Sequence, residues 1–183
     1  MRPPNWMVWN TLLALVPLGL SAWLFRAPWR RRGPVWWTGV VVFVTFLPNA
    51  PYVVTDGIHL VRRMEMNPSW LRTAILVVGF SLFILVGLEA YALCIVNLRH
   101  YLGRTIVPLE LALHGLCAVG IYLGRVLRFN SWDLLGNGHA VLHAAHQAVT
   151  QPWPATLVVA AFVMTAVSCE ALLRVNAGLQ RWR

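Results

Sequence analysis

The chain has 183 residues, of which 58% are hydrophobic and only 11% are charged. An ordinary soluble domain carries about 25% charged residues, and disorder needs low hydrophobicity with high charge, so both classes are excluded. The formal net charge is +9 and all 15 basic residues are Arg, set in short clusters between long apolar runs; that is the pattern of membrane surfaces, not the basic face of a nucleic-acid binder.

A spanning helix needs about 20 mostly apolar residues. The first candidate is Trp6 to Phe25. Its apolar run is too long for a signal peptide, no small-residue cleavage pattern follows, and the stronger cationic cluster lies behind it, so an uncleaved first span is expected. The loop 26–34 holds Arg26, Arg30, Arg31 and Arg32. The second span is predicted at 35–47, where it meets Pro48-Asn49-Ala50-Pro51. Both prolines lack a donor and disfavour helix on their N-terminal sides, so this span is expected to be short or broken near its end. Residues 52–70 are mixed and polar. The third span is predicted at 71–96, followed by a short basic link over 97–104. The fourth is predicted at 106–127 and the fifth at 155–175, with a longer segment between them. No linker separates domains, so 1–183 reads as one integral-membrane domain. The fold class is all-α: a polytopic transmembrane helix bundle of about five spans, with a Pro-broken second span and one interfacial amphipathic helix.

With loop 26–34 inside, nine Arg fall on that side and six on the other. The positive-inside rule then puts the N-terminus outside and the C-terminus inside. One consequence is independent of orientation. Two spans separate the segment after span two from the segment after span four, so Asn49, Asp56 and His59 share a face with Arg125, Arg128, Asn130 and Asp133.

Two segments on that face stand out. In Gly120-Ile-Tyr-Leu-Gly-Arg-Val-Leu-Arg-Phe-Asn-Ser-Trp-Asp-Leu-Leu135, Arg125 and Arg128 are three apart and lie near one helical face. Tyr122 and Trp132 flank them as interface anchors. Guanidinium groups suit phosphate or carboxylate, so an anion or lipid-headgroup site is one reading. The structural alternative pairs Arg125 or Arg128 with Asp133 or Asp56. In Phe46-Leu-Pro-Asn-Ala-Pro-Tyr-Val-Val-Thr-Asp-Gly-Ile-His-Leu60, broken helix at membrane depth is tolerated where it lines a wet cavity or is buried in protein. Asn49, Thr55 and Asp56 would then line a site; the plainer alternative is a Pro-rich helix end followed by a Thr-Asp-Gly turn.

Ionisable residues inside spans are expensive and therefore functional candidates. Glu89, Glu110, His114 and Glu170 all fall in the half away from the Asn49–Asp133 face. Glu110 and His114 are four apart and can touch; Glu170 precedes Arg174 in the favourable order. They read either as a proton or cation path or as interhelical hydrogen bonding. On a helical wheel His139, His143 and His146 share a face with Gln147 and Thr150, opposite Val141, Ala145, Ala148 and Val149; this predicts an amphipathic helix lying in the interface. The histidine spacing admits a metal, but no Glu or Cys accompanies it within the helix, and no metal or cofactor is assigned. Cys94, Cys117 and Cys169 lie in apolar runs and read as buried apolar residues. Gly-rich phosphate loops, Gly-x-Ser-x-Gly, His-Glu-x-x-His and Cys-x-x-Cys are all absent.

The pair "LPNAPYVVTDGIHL" and "GIYLGRVLRFNSWDLL" resembles the bacterial integral-membrane family catalogued as domain of unknown function 1361, over about Trp9 to Leu135. The matching positions are Asn49, Ala50, Pro51, Tyr52, Asp56 and His59, then Tyr122, Gly124, Arg125, Arg128, Asn130, Ser131, Trp132 and Asp133. The resemblance implies a multi-pass protein of the bacterial cytoplasmic membrane, without an activity, substrate or cofactor to carry over. The expected partners are membrane lipids, with an anionic lipid or small anion at the Asn49–Asp133 face. Three functional classes follow: a binding or transport-type protein in which Arg125 and Arg128 hold the anion and Asp56 and Asp133 orient them; a membrane enzyme using Asp56, His59 or Asp133 on a lipid-linked substrate; and an accessory subunit whose polar residues knit helices together.

Overall fold

The structure is a computed structural model that describes residues 6–27, 32–65, 69–103, 107–131 and 133–180. Among these residues all regular structure is helical. In chain order the elements are α1 (Trp6–Phe25), α2 (Pro34–Phe46), α3 (Asn49–Tyr52), a 3-10 turn (Val53–Asp56), α4 (Gly57–Glu65), α5 (Trp70–Leu102), α6 (Val107–Arg125), α7 (Asp133–Gly136), α8 (Gly138–Thr150) and α9 (Pro152–Gln180).

Five helical stretches are long and apolar enough to cross a membrane: α1, Pro34–Val61, α5, α6 and Pro152–Gly178. Their apolar side chains point outward to an extent no soluble fold tolerates. Val41, Ile75, Leu82, Val159 and Val167 are all more than half exposed, and only 17–39% of each spanning window is buried within the chain. A hydrocarbon surround covers what the protein leaves bare. The chain is a multi-pass membrane protein.

Three spans run longer than the hydropathy pattern predicts. The helical path of the second span does not stop at residue 47. Leu47, Pro48, Tyr52, Val53 and Gly57 all keep right-handed helical dihedrals, so α2, α3, the 3-10 turn and α4 form one bent helix. Pro48 and Pro51 stand at the start of a new turn, where a missing donor costs nothing. The local hydrogen bond spans three residues instead of four, as in Ala50 N–H to Leu47 O at 3.2 Å. α5 likewise absorbs most of the basic link and ends only at Gly103, which caps it with φ 66°. Arg99 is therefore a helical residue and not a loop charge. α9 starts at Pro152, a residue suited to the first helical position, and reaches Gln180.

α5 is the central helix: α1, α3, α4 and α9 pack on it, and α6 packs on α9. The core gathers Leu24, Phe43, Phe80, Tyr91 and Ile95. Close helix approach is made by glycines. A side chain at Gly39 would meet Trp23 at 2.6 Å, and one at Gly87 would run into Val53 and stand 2.7 Å from the Ala50 carbonyl oxygen. Small residues are the usual means of helix packing in lipid, where burial of apolar groups gives no driving force. Polar ties add to this. Asn97 donates to Ser21 Oγ at 2.9 Å and accepts from Arg26 Nε at 2.5 Å, and Trp36 Nε1 donates to Leu24 O at 3.2 Å. Arg32 stacks over Trp36 and Tyr101, 5.5 and 5.2 Å from their ring centres.

The helix α8 forms as predicted. Ala144 and Ala148 are buried, and the helix packs on α6 and α9. Val149, read from the wheel as part of the apolar face, is exposed together with Leu142. His139, His143 and His146 occupy exposed positions.

Candidate functional site

The bent second span and the loop after α6 come together at one end of the bundle. Asn49 Nδ2 donates to Ser131 Oγ at 2.9 Å and to Phe46 O at 3.0 Å, the latter a carbonyl freed by the bend. Arg125, at the last turn of α6, reaches Asp56 Oδ1 at 2.6 Å. Its Nε donates to Thr55 Oγ1 at 2.9 Å, and its guanidinium lies 4.7 Å from the Tyr52 ring centre. Asp56 is fully buried and also accepts from Asn10 Nδ2 at 2.9 Å. His59 Nε2 sits 3.9 Å from Asp56 Oδ1, and its ring meets Trp6 edge-on at 5.6 Å. Arg125 and Asp56 thus hold each other in place, and the pair has little net charge to offer a ligand.

Arg128 differs. It is exposed and sits at φ 62°, the left-handed region that glycine favours and that costs other residues roughly 1–2 kcal/mol. Among the described residues it makes no hydrogen bond or ion pair. The turn it creates returns Phe129 N–H to Leu123 O at 3.1 Å and ends α6. Asp133 does not orient either arginine, contrary to expectation. It accepts from the Asn130 backbone N–H at 2.6 Å, bracing the turn that carries Asn130 and Ser131. A short-range turn bond satisfies the carboxylate and leaves Arg128 unspent. Trp132 lies outside the described residues.

These groups surround a cleft of about 1270 Å³ bounded by α1, the bent span, α6 and α8. Asn10, Asn49, Tyr52, His59, Arg125, Arg128, Asn130 and Ser131 line its polar part; Leu13, Val44, Leu116 and Val119 are among the apolar residues that line the rest. Leu116 precedes Arg125 by nine residues on one helix, so the cleft runs about 13 Å into the bundle from its polar mouth. Asp56 and Asp133 stand behind the wall rather than in it. Asn10, Tyr52 and Ser131 line the cleft without having been expected there from the sequence. Asn10 carried a signal, as a lone amide near the start of an apolar run; Tyr52 and Ser131 were visible only within the motifs.

The intramembrane ionisable residues gather toward the other end. Arg99 grips Glu110 with two bonds, Nε to Oε2 at 2.9 Å and a terminal nitrogen to Oε1 at 2.5 Å. Glu170 lies 3.8 Å from Arg99 and accepts from Arg174 at 2.9 Å. His114 Nε2 is 3.7 Å from Glu110 Oε1, and Tyr91 Oη is 2.6 Å from His114 Nδ1. Glu89 accepts from Asn176 at 2.6 Å.

The chain matches the family described as "Protein of unknown function (DUF1361)" over residues 9–167. It belongs to that family. The match runs beyond the two motifs, through α8 and into the first half of α9. No curated protein and no solved structure matches the chain.

Proposed function

We propose that the cleft binds an anionic amphiphile, and that the protein works as a binding or transport-type membrane protein. A phosphate-type headgroup would lie at Arg128, beside the Asp56-paired Arg125, with the apolar part along Leu13, Val44, Leu116 and Val119. One observation carries this reading: an unspent guanidinium, held in a costly backbone conformation, stands at the mouth of a cleft that turns apolar with depth. Strain of this kind persists where something else over-determines it, and clusters at ligand sites. The neighbouring donors Asn49, Asn130 and Ser131 suit anion oxygens. An acid–base enzyme built on Asp56, His59 and Asp133 draws less support. Asp56 is sealed from the cleft by Arg125 and Asn10, and Asp133 is occupied by its own turn.

The variant that tests this is Arg128→Gly. It removes the cleft's free charge and relieves the left-handed strain together. Native mass spectrometry of protein extracted with its own lipids is expected to show an anionic lipid adduct on the wild type. Affinity should fall about tenfold or more in the variant, the loss typical of a charged hydrogen bond. The melting temperature in detergent should stay level or rise. An adduct retained undiminished by Arg128→Gly would overturn the assignment. Arg125→Ala is the poorer test, because it orphans Asp56 and confounds binding with folding.

A further inference from the structure

At the end of the bundle away from the cleft, the Glu110 carboxylate, the His114 imidazole and the Cys169 thiol lie within 4.8 Å of one another, and all three residues are buried. They come from two helices, α6 and α9. Glu110 precedes Arg125 by 15 residues, which places this cluster about 22 Å along α6 from the cleft mouth. We propose that Glu110, His114 and Cys169 form a buried site for a divalent transition ion of the zinc type, and that Arg99 holds Glu110 when the ion is absent.

Three features point to a metal rather than to chance neighbours. The donor set is one nitrogen, one sulfur and one oxygen, which suits zinc and not the oxygen-seeking magnesium or calcium. Glu110 and His114 stand four apart on one helix, the spacing of helical zinc pairs. His114 is also oriented from behind. Tyr91, fully buried, lies 2.6 Å from Nδ1 and leaves Nε2 on the Glu110 side. Metal-bound histidines are fixed in this way by a partner on the other ring nitrogen. A tetrahedral zinc with bonds of about 2.0–2.3 Å sets its ligand atoms roughly 3.3–3.8 Å apart, so atoms that lie within 4.8 Å of one another need close by at most about 1.5 Å.

Charge balance favours exchange over addition. Binding requires Cys169 to release its proton to solvent, leaving a thiolate, a carboxylate and a neutral imidazole around a doubly positive ion. Those charges sum to zero, which a low-dielectric site demands. Arg99 then has no partner in Glu110, but Glu170 is already 3.8 Å away, and the two side chains are 40% and 48% exposed. The guanidinium can move to Glu170 without entering the core. A bound ion would pin α6 to α9.

Cobalt titration of the tag-free full-length protein in detergent, under a thiol-free reductant, tests the site. Uptake of one ion with a thiolate-to-cobalt absorption band is expected, and His114→Gln and Cys169→Ser should each abolish it. Tyr91→Phe should weaken affinity about ten- to a hundred-fold, the usual cost of losing a partner behind a metal-bound histidine. Arg99→Gln should strengthen it, because the competing cation is gone. The triple variant His139→Ala, His143→Ala, His146→Ala should bind as the wild type does. No thiolate band in the wild type, a band surviving Cys169→Ser, or weaker binding by Arg99→Gln would each overturn the proposal.

Discussion

Asp56→Ala is expected to be the most damaging single substitution at the cleft, costing about 3–5 kcal/mol, the penalty for breaking a buried ion pair from one side. The carboxylate is fully buried and takes hydrogen bonds from Arg125 at 2.6 Å and Asn10 at 2.9 Å. Removing it strands a guanidinium that is itself only 22% exposed. Much of that cost belongs to the orphaned partner rather than to the bond. The double variant Asp56→Ala, Arg125→Met should therefore recover a good part of the loss, and the coupling is read from a double-mutant cycle. Thermal melts in detergent of wild type, both single variants and the double variant suffice. If Asp56→Ala melts with the wild type, or if the two costs simply add, the pair is not what holds the bent span to α6.

Gly87→Ala should cost about 2–3 kcal/mol by overpacking, against the usual preference of helices for alanine. The new methyl would run into Val53 Cγ2 and stand 2.7 Å from the Ala50 carbonyl oxygen. A backbone oxygen cannot rotate away, so the bent segment must move. That segment carries Asn49, Tyr52, Thr55 and Asp56, and lipid retention should fall along with stability. Gly79 provides the control. It lies on the same helix with nothing within 4 Å of its added methyl, so Gly79→Ala should gain up to about 1 kcal/mol from propensity alone. Equal melting temperatures for the two variants would show that α5 does not clamp the bend. Gly120 does the same from α6, where a methyl would meet Pro48 at 2.6 Å.

These two substitutions also mark where the sequence was legible. The arginine and the carboxylate could be placed on one face from span counting alone, because an even number of crossings returns the chain to its starting side. Which carboxylate would meet which arginine could not. Asp56 and Asp133 were equivalent candidates; the left-handed turn at Arg128 directed Asp133 to its own backbone and left Asp56 for Arg125. The bend at Pro48 and Pro51 was visible as two missing donors. That the helix would continue through it was not, because the continuation rests on glycines 39 and 72 residues further along the chain from Pro48, at Gly87 and Gly120. The Glu110–His114 contact follows from a four-residue interval. Arg99 and Cys169 joined it only through packing of α5 and α9.

Composition and apolar run length by themselves determined the class, the five spans and the face on which the motifs lie, because the membrane imposes these on any chain one residue at a time: every backbone group in hydrocarbon must be bonded within its own helix, and every charge there is costly. The tertiary structure alone decided the partners. Lipid offers helices no apolar driving force to associate, so their pairing depends on which small residues allow close approach and which polar groups then fall within bonding distance, and neither is a property of any single segment.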